Sequence, residues 1–191
     1  MRRSLGFLLA TALVLVSAPA ATARSYVQDD SLEDIVAVSD AQSPPVQGRF
    51  EGDILNSGVS YAKKRVTMAM RFQRLTASGE GKVFSFRIGT PQRVRVLEVV
   101  TREGNWQGTA SMRNDSGHTV ACAGIRRVID YSQPQRLIRV SVPRQCLGRP
   151  RRVHVGMLAI QIADPILYVD DAETGGYIGH QPKWGPWVKR G

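Results

Sequence analysis

The stretch Leu137-Ile138-Arg139-Val140-Ser141-Val142-Pro143-Arg144-Gln145-Cys146-Leu147-Gly148-Arg149-Pro150-Arg151-Arg152-Val153-His154-Val155-Gly156-Met157 alternates, turns once, and alternates again. Ile138, Val140 and Val142 share one face, and Arg139 and Ser141 the other. This period of two places one row of side chains inside and the other in water. Pro143 ends the strand, Gln145-Cys146-Leu147-Gly148 reads as a short turn, and Pro150 restarts the chain. Val153, Val155 and Met157 then alternate with Arg152, His154 and Gly156. The unit is strand, corner, strand, with a cysteine at the corner.

The same period runs through much of the chain. Val66, Met68, Met70 and Phe72 alternate with Thr67, Ala69, Arg71 and Gln73. Phe84, Phe86 and Ile88 alternate with Ser85 and Arg87. Ile54–Tyr61 reads as an irregular strand, and Val94–Thr101 as a strand whose broken alternation suggests a bulge or burial on both faces. Trp106–Arg113 and Thr119–Ile125 flank Asn114-Asp115-Ser116-Gly117 and read as a hairpin; the turn accounts for these residues better than their match to a glycosylation acceptor. Before Asp164 there is no sustained helical period. The expectation is an all-β chain: a single antiparallel β-sandwich of about eight strands with one disulfide.

The amino terminus carries Arg2 and Arg3, an apolar run from Leu5 to Val16, and the small-x-small pattern Ala21-Thr22-Ala23. That is the layout of a signal peptide over residues 1–23, too short in its apolar run to span a bilayer as a helix. The strongly apolar run suits general secretion, with the twin-arginine route as the alternative. No later segment is long and apolar enough to serve as an integral membrane segment, and the expected location is secreted, extracellular. An oxidising destination favours joining Cys122 to Cys146, the two cysteines of the chain. Residues 24–48 read as an acidic, Pro-containing arm with Asp29, Asp30, Glu33, Asp34 and Asp40, broken at Ser43-Pro44-Pro45. Ile35–Val38 is a candidate edge strand within it. The sandwich is expected over 49–163, and 164–191 as a Gly/Pro/Trp-containing tail packed on it.

The 191 residues carry a formal net charge of +10, and removal of residues 1–23 lowers it by only two. Basic character therefore belongs to the mature chain. Three clusters carry it at strand ends or corners: Lys63-Lys64-Arg65, Arg126-Arg127, and Arg149 with Arg151 and Arg152. They suit an anionic cell-wall polymer or glycan. Without interleaved aromatic residues, and in an exported chain, nucleic acid is not the expected partner. Trp184-Gly185-Pro186-Trp187 offers either a platform for sugar rings or an anchor for the tail, and anchoring is the better reading.

Catalytic signatures are missing: no nucleophile elbow, zinc-protease helix, phosphate loop or dinucleotide fingerprint is present. Ser60-Tyr61-Ala62-Lys63 matches a serine–lysine pattern, but at a strand end rather than a helix start. His118, His154 and His180 are isolated and read as surface or turn residues. Asp164, Asp170, Asp171 and Glu173 fit no calcium loop and read as a solvated acidic patch; no metal site and no cofactor are expected.

Asp130-Tyr131, Arg139-Val140-Ser141-Val142-Pro143-Arg144-Gln145-Cys146-Leu147-Gly148, Pro150 with Arg152-Val153-His154-Val155, and the ending Trp187-Val188-Lys189-Arg190-Gly191 resemble an uncharacterised group of small secreted proteins from actinomycete-type bacteria. That group pairs a VPRxCLGxP corner with an upstream cysteine. Its layout is similar to carbohydrate-binding and DOMON-type β-sandwiches, which bind sugars or haem. A DOMON-type haem site would draw on Met68, Met70 or Met112 with His154; strand methionines are core residues more often, and no haem is expected. The expected function is a non-catalytic module binding an anionic or carbohydrate ligand at the cell envelope. The alternatives are a structural or protein-interaction domain of the envelope and an unrecognised hydrolase. Arg149, Arg151, Arg152, Trp184 and Trp187 are the candidate binding residues.

Overall fold

The computed structural model describes residues 24–38, 45–173 and 181–191. The signal-peptide reading, Asp40, Ser43-Pro44 and His180 lie outside them. The described chain is all-β, built of two antiparallel sheets that pack face to face. One sheet contains β1 (Arg24–Asp29), β3 (Ile54–Tyr61), β4 (Arg65–Phe72), β8 (Arg126–Asp130) and β9 (Leu137–Pro143), in the order β1-β3-β4-β9-β8. The other contains β2 (Val36–Val38), β5 (Gly81–Gly89), β6 (Val94–Arg102), β7 (Asn105–Asn114), β10 (Arg152–Ala163) and β11 (Ile166–Asp171), in the order β2-β11-β10-β5-β6-β7. A short β12 (Val188–Lys189) pairs with Arg152 and Val153 at the start of β10. Among the described residues no helix is long and apolar enough to cross a membrane.

The inward rows are those set by alternation. Val66, Met68 and Met70 stand opposite Val142, Val140 and Ile138 across the β4–β9 ladder, and all six are fully buried. On the facing sheet Val155 and Met157 pair with Ile88 and Phe86, and Phe86 pairs with Leu97. Phe72 and Phe84 meet across the core, ring centroids 5.7 Å apart. Cys122 and Cys146 are joined, with Cα atoms 5.5 Å apart. Cys146 lies in a 3-10 turn, Arg144–Leu147, that Gly148 closes in the left-handed conformation at φ 79°.

Several expectations need correcting. Eight strands, β3 to β10, form over the range expected for the sandwich; among the described residues the arm and the tail add β1, β2, β11 and β12 to its sheets, where no paired strands were expected beyond a candidate at the edge. β1 pairs along its whole length with β3, although only Tyr26 and Gln28 in it are half-buried and Val27 is 74% exposed. A ladder of backbone hydrogen bonds holds it, which apolar periodicity cannot reveal. Ile35 and Val36 are buried and carry β2 to the edge of the other sheet, beside β11. Thr119–Ile125 is not a strand. Thr119 makes one isolated bridge to Arg113, Val120 bonds Met112, and the following residues cross to β8 under the disulfide. The Asn114 turn does form, its side-chain oxygen accepting from the backbone N–H of Ser116 and His118. Gln73 lies beyond the end of β4 and is half-buried, not in water. In β6 alternation is kept, with Leu97 and Val99 buried and Val100 outward; the irregularity is a register shift between Val100 and Arg102.

Candidate functional site

Two polar assemblies stand at opposite ends of β3. Beyond Tyr61 the turn to β4 carries Lys63, Lys64 and Arg65. This turn is tied to the disulfide corner, because the backbone N–H of Arg144 donates to the carbonyl of Lys64 at 2.9 Å. Arg126 opens β8 on the neighbouring side. Lys63, Lys64, Arg65, Arg126, Arg144 and Arg149 thus line one cleft of about 550 Å³, which no acidic residue lines.

Two of these cations are held in place. Arg65 donates from Nε to Ser141 Oγ at 2.6 Å and from Nη2 to the carbonyls of Gly124 and Ser141. Arg144 donates to the carbonyls of Pro150 at 3.1 Å and Arg149 at 2.7 Å, fixing the corner. Burial, with Arg126 nearby, holds the Arg65 guanidinium below its ordinary pKa. An anion placed between these like charges would relieve their repulsion.

The third basic cluster divides. Arg149 faces the cleft, whereas Arg151 and Arg152 line a second hollow of about 540 Å³ with Arg24, Lys189 and Arg190. Pro150, between Arg149 and Arg151 in the chain, is held by the buried Tyr61 hydroxyl, which donates to its carbonyl at 2.5 Å. The second basic cluster divides too: Arg127 turns away from the cleft and donates to the carbonyls of Gln107 and Gly108 on the edge strand β7. That blunts a ten-residue edge which, left open, would have favoured a strand-pairing role.

Trp184 and Trp187 do not form an open platform. His154 is sandwiched between them, ring centroids 4.0 and 3.9 Å away and planes tilted by only 15° and 14°. Arg87 covers the other side of Trp184 at 4.6 Å, and Arg152 the other side of Trp187 at 4.5 Å. Both faces of each indole are therefore occupied, by π-stacking and by cations. Trp187 remains 42% exposed, but with a ring or a cation against its faces it offers no open, flat platform, and the tryptophans hold the tail against β10. Gly89, opposite His154 on β5, makes room for this stack: a β-carbon there would lie 2.1 Å from His154 Nε2.

Burial, then Arg87 and Arg152, push the His154 pKa down. Folding therefore favours the neutral imidazole. The stability this contributes is complete above the unfolded value of about 6.5 and is lost as the pH falls through the lower folded value. Thermal melts between pH 8 and 5 should show a steeper acid loss in the wild type than in His154→Phe, which keeps a flat ring and loses the titration. Equal acid slopes would remove His154 from the account.

Other sequence candidates have structural places. Met68, Met70 and Met112 are buried in the core between the sheets. His118 is exposed in the turn after β7. Neither His118 nor His154 is hydrogen-bonded to a carboxylate among the described residues. Ser60 lies in β3 and Lys63 in the turn beyond it, a strand end rather than a helix.

At the other end of β3 the reading of a solvated acidic patch fails. Asp170 and Asp171 are 2% and 1% exposed, covered by the arm and the tail. Asp164 stands apart, its backbone N–H donating to Glu80. Asp34 and Asp53, which sequence reasoning did not connect with this region, are buried beside Asp170. Each of the three is next to Ile or Val at or near a strand end, a local signal of burial that charge counting overlooks. Burial, then Asp34 nearby, raises the Asp30 pKa to about 8; burial chiefly raises Asp53 to about 6 and drives Asp170 strongly upward.

No family model, curated protein or solved structure matches this chain.

Proposed function

We propose that this is a secreted, non-catalytic binding module whose basic end takes an anionic polymer of the cell envelope. The observation that carries the reading is the gathering of Lys63, Lys64, Arg65, Arg126, Arg144 and Arg149 around one cleft without a carboxylate among its lining residues. Arg65 and Arg144 are already oriented by backbone carbonyls, so a ligand would lose little side-chain entropy in meeting the cleft. A leader-like amino terminus and the disulfide favour an extracellular setting. The occupied faces of Trp184 and Trp187 favour charge over sugar stacking as the basis of recognition.

Retention on a column of phosphate-bearing wall polymer should be strong at low salt and fall steeply as salt rises. The screening length shrinks from about 10 Å at 0.1 M to about 3 Å at 1 M. A neutral glycan column should retain nothing. Retention indifferent to salt, or equal on the neutral column, would overturn this reading.

A further inference from the structure

We propose that Asp34, Asp53 and Asp170 form a calcium-binding site that fastens the amino-terminal arm to both sheets. The three come from separate parts of the chain. Asp34 lies where the arm crosses from β1, in one sheet, to β2, in the other; Asp53 immediately precedes β3; Asp170 is near the end of β11. Each offers one carboxylate oxygen, and these oxygens all lie within 4.8 Å of one another. Two oxygens bound to one calcium at 2.3–2.6 Å stand at most about 5 Å apart, so the three can share an ion without being moved away from one another.

The carboxylates are also oriented. Asp53 Oδ2 accepts the backbone N–H of Glu33 at 3.2 Å, and Asp170 Oδ2 accepts that of Ile54 at 2.6 Å. The second oxygen of each, Oδ1, is buried with no hydrogen-bond partner among the described residues, on side chains that are 0% and 2% exposed. A buried carboxylate oxygen without a donor is costly unless something positive meets it. Here two such oxygens belong to residues of one cluster.

The donor set selects the ion. Only carboxylate oxygens are offered, with no histidine or cysteine in the group, which suits a hard cation and not zinc or copper. Calcium tolerates an irregular oxygen shell completed by water or carbonyl groups, whereas magnesium demands near-octahedral geometry at 2.0–2.1 Å. The site would bridge the arm, β3 and β11, so binding should couple to folding and raise the unfolding temperature.

The test uses the purified, disulfide-bonded protein stripped with EDTA, melted with calcium chloride, with magnesium chloride, and with sodium chloride at matched ionic strength. Calcium at about a hundred times its Kd should raise the midpoint by roughly 5–10 °C, reversibly with EDTA, and far more than the other salts. Asp53→Asn and Asp170→Asn each keep an oxygen for the backbone donor and remove a charge. Both variants should lose most of the calcium shift while melting no lower than wild type in EDTA. The wild-type titration decides the matter even if a variant fails to fold. Identical melts in EDTA and 10 mM calcium with no calorimetric heat of binding would overturn the site. So would an equal shift from sodium chloride or magnesium chloride, or a full calcium shift in both variants.

Discussion

Met70→Asp should abolish soluble expression, while Arg71→Asp, one residue along β4, should leave a folded protein. Met70 is fully buried opposite Ile138, in the row that meets the facing sheet; Arg71 is exposed and points the other way. The aspartate at position 70 would face Ile138 and its neighbours without a cation, so it must be buried charged or be protonated at a cost. The loss should exceed about 4–5 kcal/mol, a large share of the 5–15 kcal/mol that holds a domain together. Arg71 contributes one exposed hydrogen bond to the Pro134 carbonyl, and its replacement should cost no more than about 1 kcal/mol. Soluble yield and circular dichroism of the two variants provide the check. Equal tolerance would mean that the inward face of β4 is wrongly assigned.

Cys146→Ser should lower stability by roughly 2–5 kcal/mol, the range for a small disulfide-bonded domain, and the melting temperature by roughly 5–15 °C. The bond closes a sequence separation of 24 residues. Residues 121–125 have no strand partner, so the disulfide fixes a segment that would otherwise be held by Val120 and a few side-chain contacts. Ala123 and Gly124 lie on the lip of the basic cleft, and Gly124 supplies a carbonyl to Arg65. The variant should therefore also weaken polymer retention at a temperature where it remains folded. Free thiols in the native wild type, or an unchanged melt in the variant, would contradict this.

The strands that sequence patterning identifies are those with one buried face. Val66–Phe72, Ile138–Val142 and Val153–Met157 each place an unbroken row in the core. β1 was hidden because its order comes from pairing with β3 rather than from burial, and β11 because Asp170 and Asp171 end it where a tail was expected. Thr119–Ile125 alternates like a strand, yet the disulfide and one bridge do the work of a ladder. In the basic end, Lys63–Arg65 and Arg126 were legible as charge runs. Arg144 was not, since it reads as part of the corner. Arg149, Arg151 and Arg152 look like one cluster in sequence, but the turn and the start of β10 send them to different hollows. The stack around His154 and the Asp34–Asp53–Asp170 cluster join residues far apart in the chain, so no spacing rule could assemble them.

The cleft itself is tested most directly by exchanging charge at one end of the molecule and not at the other. Lys64→Gln, Arg126→Gln and Arg149→Gln together remove three charges from the cleft; Arg71→Gln, Arg74→Gln and Arg102→Gln together remove three from strand ends away from it. With melting temperatures confirming that both triple variants are folded, retention on the phosphate-bearing polymer at 0.1 M salt is then compared. The first variant should lose most of its retention, by about tenfold or more in Kd, and the second should stay close to wild type. Equal losses in the two, or full retention in the first, would contradict a binding site in this cleft.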